Sequence, residues 1–270
     1  MSKVHISEKS IEKRNRVRVV SLLPDIVNRQ SATEKIADLA AHTGGSYVCF
    51  STVHMVMESY DDAEYGAKVN NADYIITDGM PLVWMQKLQG AGDAVRVRAN
   101  DLMILLCEYA SENNLSVGFY GGKQSVIDAI IERAKRELPN LKIVYAFSPP
   151  FRSLSEVEDA EIVAEINQKN PDLLFVGLGC PKQENWMSAH KNQINSVMLG
   201  VGASFDFYAG NVKESPEWMG KLGLEWLYRL TQEPQRLWKR YLILNPRFIF
   251  LATLQLLRLK KFDKSKDEEV

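Results

Sequence analysis

Apolar positions follow two rhythms along the first two thirds of the chain. Runs rich in Val, Ile, Leu and Tyr, without strict alternation, fall at 17–23, 47–51, 74–77, 115–120, 142–146, 173–176 and 196–201. Between them apolar residues recur at helical spacing over 31–42, 55–70, 81–88, 100–113, 125–137, 155–167 and 181–191. The first kind of run predicts strands covered on both faces. Regular alternation of the two kinds predicts right-handed βαβ units, hence an α/β fold on a mainly parallel sheet. Ser31, with Glu34 three residues on, reads as a capping box opening the first helix.

After about Gly210 the strand signals vanish. The chain reads as helical, broken by Pro216, Pro234 and Pro246. We divide it into a loosely ordered segment at 1–16, an α/β domain at 17–215 and a helical appendage at 216–270. The polar opening lacks the apolar stretch of a signal peptide, and no run reaches the length of a spanning helix. Three scattered cysteines without CxxC or Cys/His spacing indicate a reducing compartment and no structural metal.

Charge separates the two halves. From Lys221 to Lys261 nine Lys/Arg face two Glu, a net of +7, which leaves −8 for the rest of a chain whose total is −1. The bulk balance selects no nucleic acid, whereas a basic, aromatic-rich tail on an acidic body suggests a negatively charged surface as partner. Arg229, Arg236, Arg240 and Arg247 would lie within about 20° of one line on a continuous helix. Trp226, Leu230, Leu237, Tyr241 and Leu244 would form an adjacent apolar stripe, although the prolines interrupt any single helix. The apolar run at 248–257 is about half a membrane span, so it can lie on a bilayer but not cross it. A helix packed on the core with a solvated basic face is the plainer alternative.

Ligands of open parallel sheets bind at the carboxyl ends of the strands. After 74–77 come Asp78 and Gly79, after 115–120 Gly121, Gly122 and Lys123, after 173–176 Gly179, Lys182 and Gln183, and after 196–201 Asp206. Asp78 ends an all-apolar run and precedes a helix start at Pro81; it is either a turn residue or a site carboxylate. Gly121-Gly122-Lys123 opens a helix, which suits a diphosphate, and equally suits a plain turn. His54 sits near a strand end. Neither the dinucleotide nor the P-loop fingerprint is present.

The stretches ADYIITDGMPLVW, RVRANDL, FYGGK, PDLLFVGLGCPKQENW, GVGASFDFYAG and GLEWLYRLTQEPQRLWKRYLILNPRF resemble the WecG/TagA/CpsF family of bacterial glycosyltransferases, collinearly over about 17–250. SPPFRSL resembles its exopolysaccharide glucosyltransferase branch. The resemblance implies a Rossmann-like core with a membrane-facing helical appendage. It also implies transfer of a sugar from a UDP-sugar to a polyprenyl-diphosphate-linked glycan, inverting and metal-independent, with no cofactor. The family's base falls on Asp78, its RV-motif arginine on Arg96, its PKQE glutamine on Gln183 and its GxFDF aspartate on Asp206. Asn100 and Asp101 lie in the matching RVRANDL stretch. Where many members read Thr-Pro-Asn-Pro-Glu, this chain reads Phe50-Ser51-Thr52-Val53-His54, so a binding role for Thr52 or His54 is carried over only by position.

These expectations agree with elementary chemistry. Inverting transfer needs one base for the acceptor hydroxyl, and a diphosphate leaving group needs positive charge, here from Arg96, Lys123, the glycine loops and the appendage arginines 229, 236 and 240. The partners implied are a UDP-sugar, a lipid-linked acceptor and the inner membrane face, on which a cytoplasmic protein would sit peripherally; self-association is left open. A nucleotide-cofactor oxidoreductase and a non-catalytic membrane-associated nucleotide-binding protein remain as rival classes.

Overall fold

The computed structural model describes residues 14–42 and 45–262. Of the opening segment, 1–13 lie outside the described residues, while Arg14 and Arg16 both pair with Asp25. Six parallel strands form one sheet in the order β2-β1-β6-β5-β3-β4. They are β1 (Ser46–Ser51), β2 (Tyr74–Thr77), β3 (Ser116–Gly121), β4 (Lys142–Phe147), β5 (Leu173–Gly177) and β6 (Val197–Gly200). Helices α1 (Arg29–Ala41), α2 (Val53–Asp61), α3 (Ala63–Asn70), α4 (Met80–Leu88), α5 (Ala99–Glu112), α6 (Gln124–Glu137), α7 (Glu156–Lys169), α8 (Lys182–His190) and α9 (Ser204–Tyr208) cover it. Three more follow: α10 (Glu217–Lys221), α11 (Glu225–Gln232) and α12 (Pro234–Leu256). The fold is thus Rossmann-like α/β with a C-terminal helical extension.

Successive strand side chains point to opposite faces. Tyr47, Cys49, Tyr120, Leu174, Val176 and Met198 enter one core, with Met55, Tyr65, Phe248 and Leu251. Val48, Phe50, Phe119, Leu173, Phe175 and Leu199 enter the other, with Ile36, Leu106, Ile130 and Phe205. Both faces being covered is why the strands read as unbroken apolar runs.

The structure departs from the sequence reading at several places. Residues 17–23 form a tight turn, Val19 and Leu22 exchanging backbone bonds around Val20 at φ 54°. Val19, Val20 and Leu22 are fully buried, so the apolar run reports burial and not extension. Pairing there is limited to isolated bridges, and Asp25 caps the β2 edge, its backbone N–H donating to Ile75 and its carboxylate accepting from the Ile75 N–H at 2.8 Å. The helix expected at 55–70 is two, because Asp62 leaves the helical path and its carboxylate accepts from the Tyr65 N–H, capping α3. Asn28 and not Ser31 caps α1; Ser31 is the third helical residue and completes the box. Pro246 lies inside α12 without ending it. Leu242, whose carbonyl loses its helical donor there, is exposed and can be hydrated.

Parallel pairing brings every strand's carboxyl end to one edge. Thr52, Asp78 and the segments after Gly121, Gly177 and Gly200 all leave from it. Two glycines are required there by close approach: a Cβ on Gly121 would stand 2.7 Å from the Gly177 carbonyl carbon, and one on Gly177 would stand 2.5 Å from the Phe205 ring.

Candidate active site

β2 ends on Thr77, and the chain turns outward through Asp78, whose N–H donates to the Ser51 carbonyl at 3.0 Å. The Asp78 carboxylate accepts from Arg96 Nη2 and from the Ala99 backbone N–H, both at 3.2 Å. Ala99 is the first residue of α5, so the carboxylate also faces the positive end of a helix. Arg96 Nε donates to the Asp78 carbonyl oxygen, fixing the guanidinium from a second side. Burial holds the Asp78 carboxyl above the usual carboxylate range; Arg96 pulls it down and Glu225 pushes it up. The side chain is nonetheless 19% exposed and faces a cavity. A carboxylate with raised proton affinity, held by two donors and facing a cavity, has the chemistry to accept a proton.

That cavity, about 670 Å³, lies between the N-terminus of α2, the face of α4 and helices α11 and α12. Thr52, His54, Asp78, Gly79 and Arg96 line its inner end together with Arg229 and Arg240. Thr52 caps α2, its hydroxyl accepting from the Met55 N–H at 3.5 Å. Burial, then Arg240, pushes His54 down to about 4, so its ring is neutral at physiological pH. Nε2 stands 3.2 Å from Glu58, and Nδ1 is buried without a partner.

Arg229 and Arg240 are the most telling cationic groups. The Nε of each is buried without a hydrogen-bond partner. Burial lowers the Arg240 pKa, and Arg229 and Arg236 lower it further. Like charges gathered with donors unspent mark a place for an anion. Arg229 also lies over the Phe207 ring at 5.5 Å, joining α11 to α9.

The sequence-named residues separate into two groups. Arg236 is exposed and pairs with Glu233, and Arg247 binds Asp61 of α2 at 2.6 and 2.9 Å. The four appendage arginines therefore do not lie on one line, because the break at Glu233 turns α12 away from α11. Lys123 and Lys182 are exposed. The Gly122 N–H donates to the Gly177 carbonyl at 3.1 Å, so that amide is spent within the sheet edge. Gly179 adopts φ 80° with open space where a Cβ would be. Gln183 is buried and spent on protein: its amide nitrogen donates to the Gly200 carbonyl at 2.8 Å and to Glu184 at 2.7 Å, and its oxygen accepts from the Gly179 N–H at 3.1 Å. It holds the loop after β5 against β6. Asp206 is half-buried on α9. Asp101 pairs with Arg29 and Arg98, and Asn100 donates to Glu214 at 2.8 Å while its carbonyl oxygen is buried without a partner.

Glu214 and Glu225 are contacts of the candidate site that sequence reasoning missed. Glu225 stands 2.9 Å from Arg96 Nη2, and Glu214 stands 2.8 Å from Arg98 Nη1. Glu225 of α11 thus latches the helical extension onto the loop that holds Asp78, and Glu214 ties the segment leading into α10 to the same loop. The available signal was Glu225 itself, one of only two acids in an otherwise basic stretch. Among the described residues no group of three or more His, Cys, Asp or Glu gathers as a metal site would require.

Comparison with known proteins bears on this arrangement. The model of the glycosyl transferase WecG/TagA/CpsF family matches residues 17–262. An N-acetylglucosaminyldiphosphoundecaprenol N-acetyl-beta-D-mannosaminyltransferase of Bacillus spizizenii is 32% identical over 206 residues, covering 76% of this chain and 77% of its own. Enzymes of the same name are 32% identical in Bacillus subtilis, over 73% and 75% of the two chains, and 30% identical in Staphylococcus aureus, over the same shares.

Proposed function

Because the chain belongs to the glycosyl transferase WecG/TagA/CpsF family, we propose that it moves a hexose or N-acetylhexosamine from a UDP-sugar to a polyprenyl-diphosphate-linked glycan, in the assembly of a cell-surface or extracellular polysaccharide. The observation that carries this reading is one cavity holding a half-buried carboxylate of raised proton affinity beside two arginines with unspent donors. The names of the relatives support the lipid-diphosphate acceptor and favour an N-acetylhexosamine.

Asp78 takes the proton of the acceptor hydroxyl as its oxygen attacks the anomeric carbon. The bond from that carbon to the diphosphate oxygen breaks from the opposite face, and UDP leaves with the electron pair, so configuration inverts. Arg229 and Arg240, with Arg96 nearby, are placed to meet the charge that grows on the diphosphate. The latter role makes a divalent cation unnecessary. Thr52, neutral His54 with its free Nδ1, Gly79 and Asn100 with its free carbonyl oxygen are candidates for the sugar and nucleotide. Helices α10–α12 then act as an appendage that completes the site. Radiolabelled UDP-sugar incubated with a lipid-linked acceptor is expected to yield labelled glycolipid in EDTA as well as with Mg²⁺. No transfer from any UDP-sugar would return the oxidoreductase and non-catalytic readings to the front, and activity lost in EDTA and restored by metal would defeat the cation-free mechanism.

The same appendage is proposed to rest on an anionic membrane. No helix among the described residues is long and apolar enough to cross one. The 248–257 run packs inward through Phe248, Leu251 and Ala252, while Ile249, Phe250, Leu256 and Leu257 are exposed. Each Lys or Arg near an anionic leaflet contributes about 1 kcal/mol. The full chain is expected to pellet with anionic liposomes at low salt and to be released at high salt. Equal sedimentation with neutral vesicles at both salt levels would rule out the electrostatic part.

A further inference from the structure

The cavity does not end at the arginines. It continues between α4 and α12 as a groove whose two walls are apolar helix stripes. Trp84 and Leu88, one turn apart on α4, are 45% and 70% exposed. Facing them on α12 are Ile249, Thr253 and Leu256, spaced four and three residues apart and so on one helix face. Ile249 is 63% exposed and Leu256 36%. Contiguous exposed apolar surface of this kind marks a ligand or membrane contact. Its inner end is cationic and its outer end open, and the two are separated along α12, from Arg240 to Leu256, by about 24 Å at the helical rise.

We propose that this groove holds the first isoprene units of the acceptor lipid, threading them from the diphosphate site out between α4 and α12. The inference rests on the acceptor class proposed above. The match is one of charge and polarity in sequence: the groove is an amphiphile's negative image, with guanidiniums where the diphosphate sits and a mainly apolar channel beyond, in which Asn245 and Thr253 are the polar residues of α12. A neutral apolar protein segment would fill the channel but leave Arg229 and Arg240 without an anion. Phe250 on α12 and Leu257 and Leu259 just after it are also exposed, so a lipid can enter sideways from a bilayer on which the appendage rests. The chain length of the acceptor, and not only its sugar, is then read by the enzyme.

Photo-cross-linking tests this apart from turnover. The full chain in detergent is treated with a polyprenyl diphosphate carrying a diazirine in its first isoprene units. Label is expected on Trp84 and Leu88 of α4 and on Ile249 and Leu256 of α12. Thr253→Trp, which fills the groove, and Ile249→Asp, which makes it polar, alter exposed positions and are expected to leave thermal stability intact. Each methylene taken from water is worth about fourfold in affinity, so both variants should lower labelling at least about tenfold. They should also raise KM at least about tenfold for a full-length acceptor, and leave it nearly unchanged for a soluble acceptor whose diphosphate carries a methyl group in place of the isoprenoid chain. Label landing elsewhere, or variants that keep the wild-type preference for long chains, would overturn the proposal. So would equal labelling by a diazirine phosphatidylglycerol that polyprenyl diphosphate fails to displace, which would assign the groove to the bilayer. If no sugar transfer occurs but the label maps to the groove, the groove stands and the proposed reaction falls; transfer with label elsewhere reverses that outcome.

Discussion

Asp78→Asn is expected to lower turnover by about 10²–10⁴-fold, the usual worth of a positioned general base. The amide keeps one acceptor for the Ala99 N–H, so the turn after β2 should hold and the donor should bind nearly as before. Radiolabelled transfer measures the first quantity, and calorimetric titration with UDP the second. Turnover near that of the unaltered chain would remove Asp78 from the chemistry.

The pH profile adds a signed test. A base works only when deprotonated, so kcat/KM falls as pH drops through the carboxyl's pKa, which burial already holds above the usual range. Arg96 lowers that pKa, so Arg96→Gln should move the acid limb to higher pH. Glu225 raises it, so Glu225→Gln should move the limb to lower pH. Opposite shifts from two residues that touch each other at 2.9 Å are not expected of a general loss of structure. Limbs that stay together would mean that another group governs the profile.

Much of the sheet is legible in the sequence because strands buried on both faces leave apolar runs of a length that helices do not share. The 17–23 run misleads for the same reason: burial under the sheet edge produces the same composition as extension, and the backbone bonds that separate the two cases are made inside the turn, between Val19 and Leu22, and with the remote side chains of Asn70 and Gln255. Asp78 is legible as a candidate because a carboxylate closing an apolar run has few reasons to be there. Gln183 shows the limit. Its residue type and its place after β5 suit a ligand, yet both ends of its amide are taken by Gly179, Gly200 and Glu184. Pattern reveals which strand end a side chain leaves from and not which way it turns. Contacts between remote segments are hidden altogether, and Glu225 on Arg96 across more than a hundred residues is such a contact. Helical periodicity likewise put Arg229 and Arg236 on one face, whereas the break at Glu233 sends one to the cavity and the other to solvent.

Arg240→Met is expected to separate activity from stability. Helix α12 buries Leu237, Phe248 and Leu251 in the core, so removing the appendage whole would confuse loss of catalysis with loss of packing. A single substitution at the cavity avoids this. The Arg240 guanidinium carries a buried Nε without a partner, and it shares the cavity with Arg229. An unsatisfied buried group costs about 1–3 kcal/mol, and methionine keeps much of the stem's packing. Thermal unfolding of Arg240→Met should therefore occur at the same or a higher temperature. A charge-assisted bond to a diphosphate is worth about 1.5–3 kcal/mol, so kcat/KM should fall about 10–100-fold. Arg229→Met together with Arg240→Met should fall further than either single, with about 10²–10⁴-fold, the product of two such singles, expected if the two act independently and a departure from it measuring their coupling. Arg247→Met provides the contrast: its guanidinium is exposed and paired with Asp61, a surface ion pair worth about 0–1 kcal/mol, so activity should change little. Differential scanning fluorimetry and steady-state transfer on the same preparations check both halves. If Arg240→Met unfolds at a lower temperature and transfers sugar like the unaltered chain, the arginine is a packing residue and the anion site lies elsewhere.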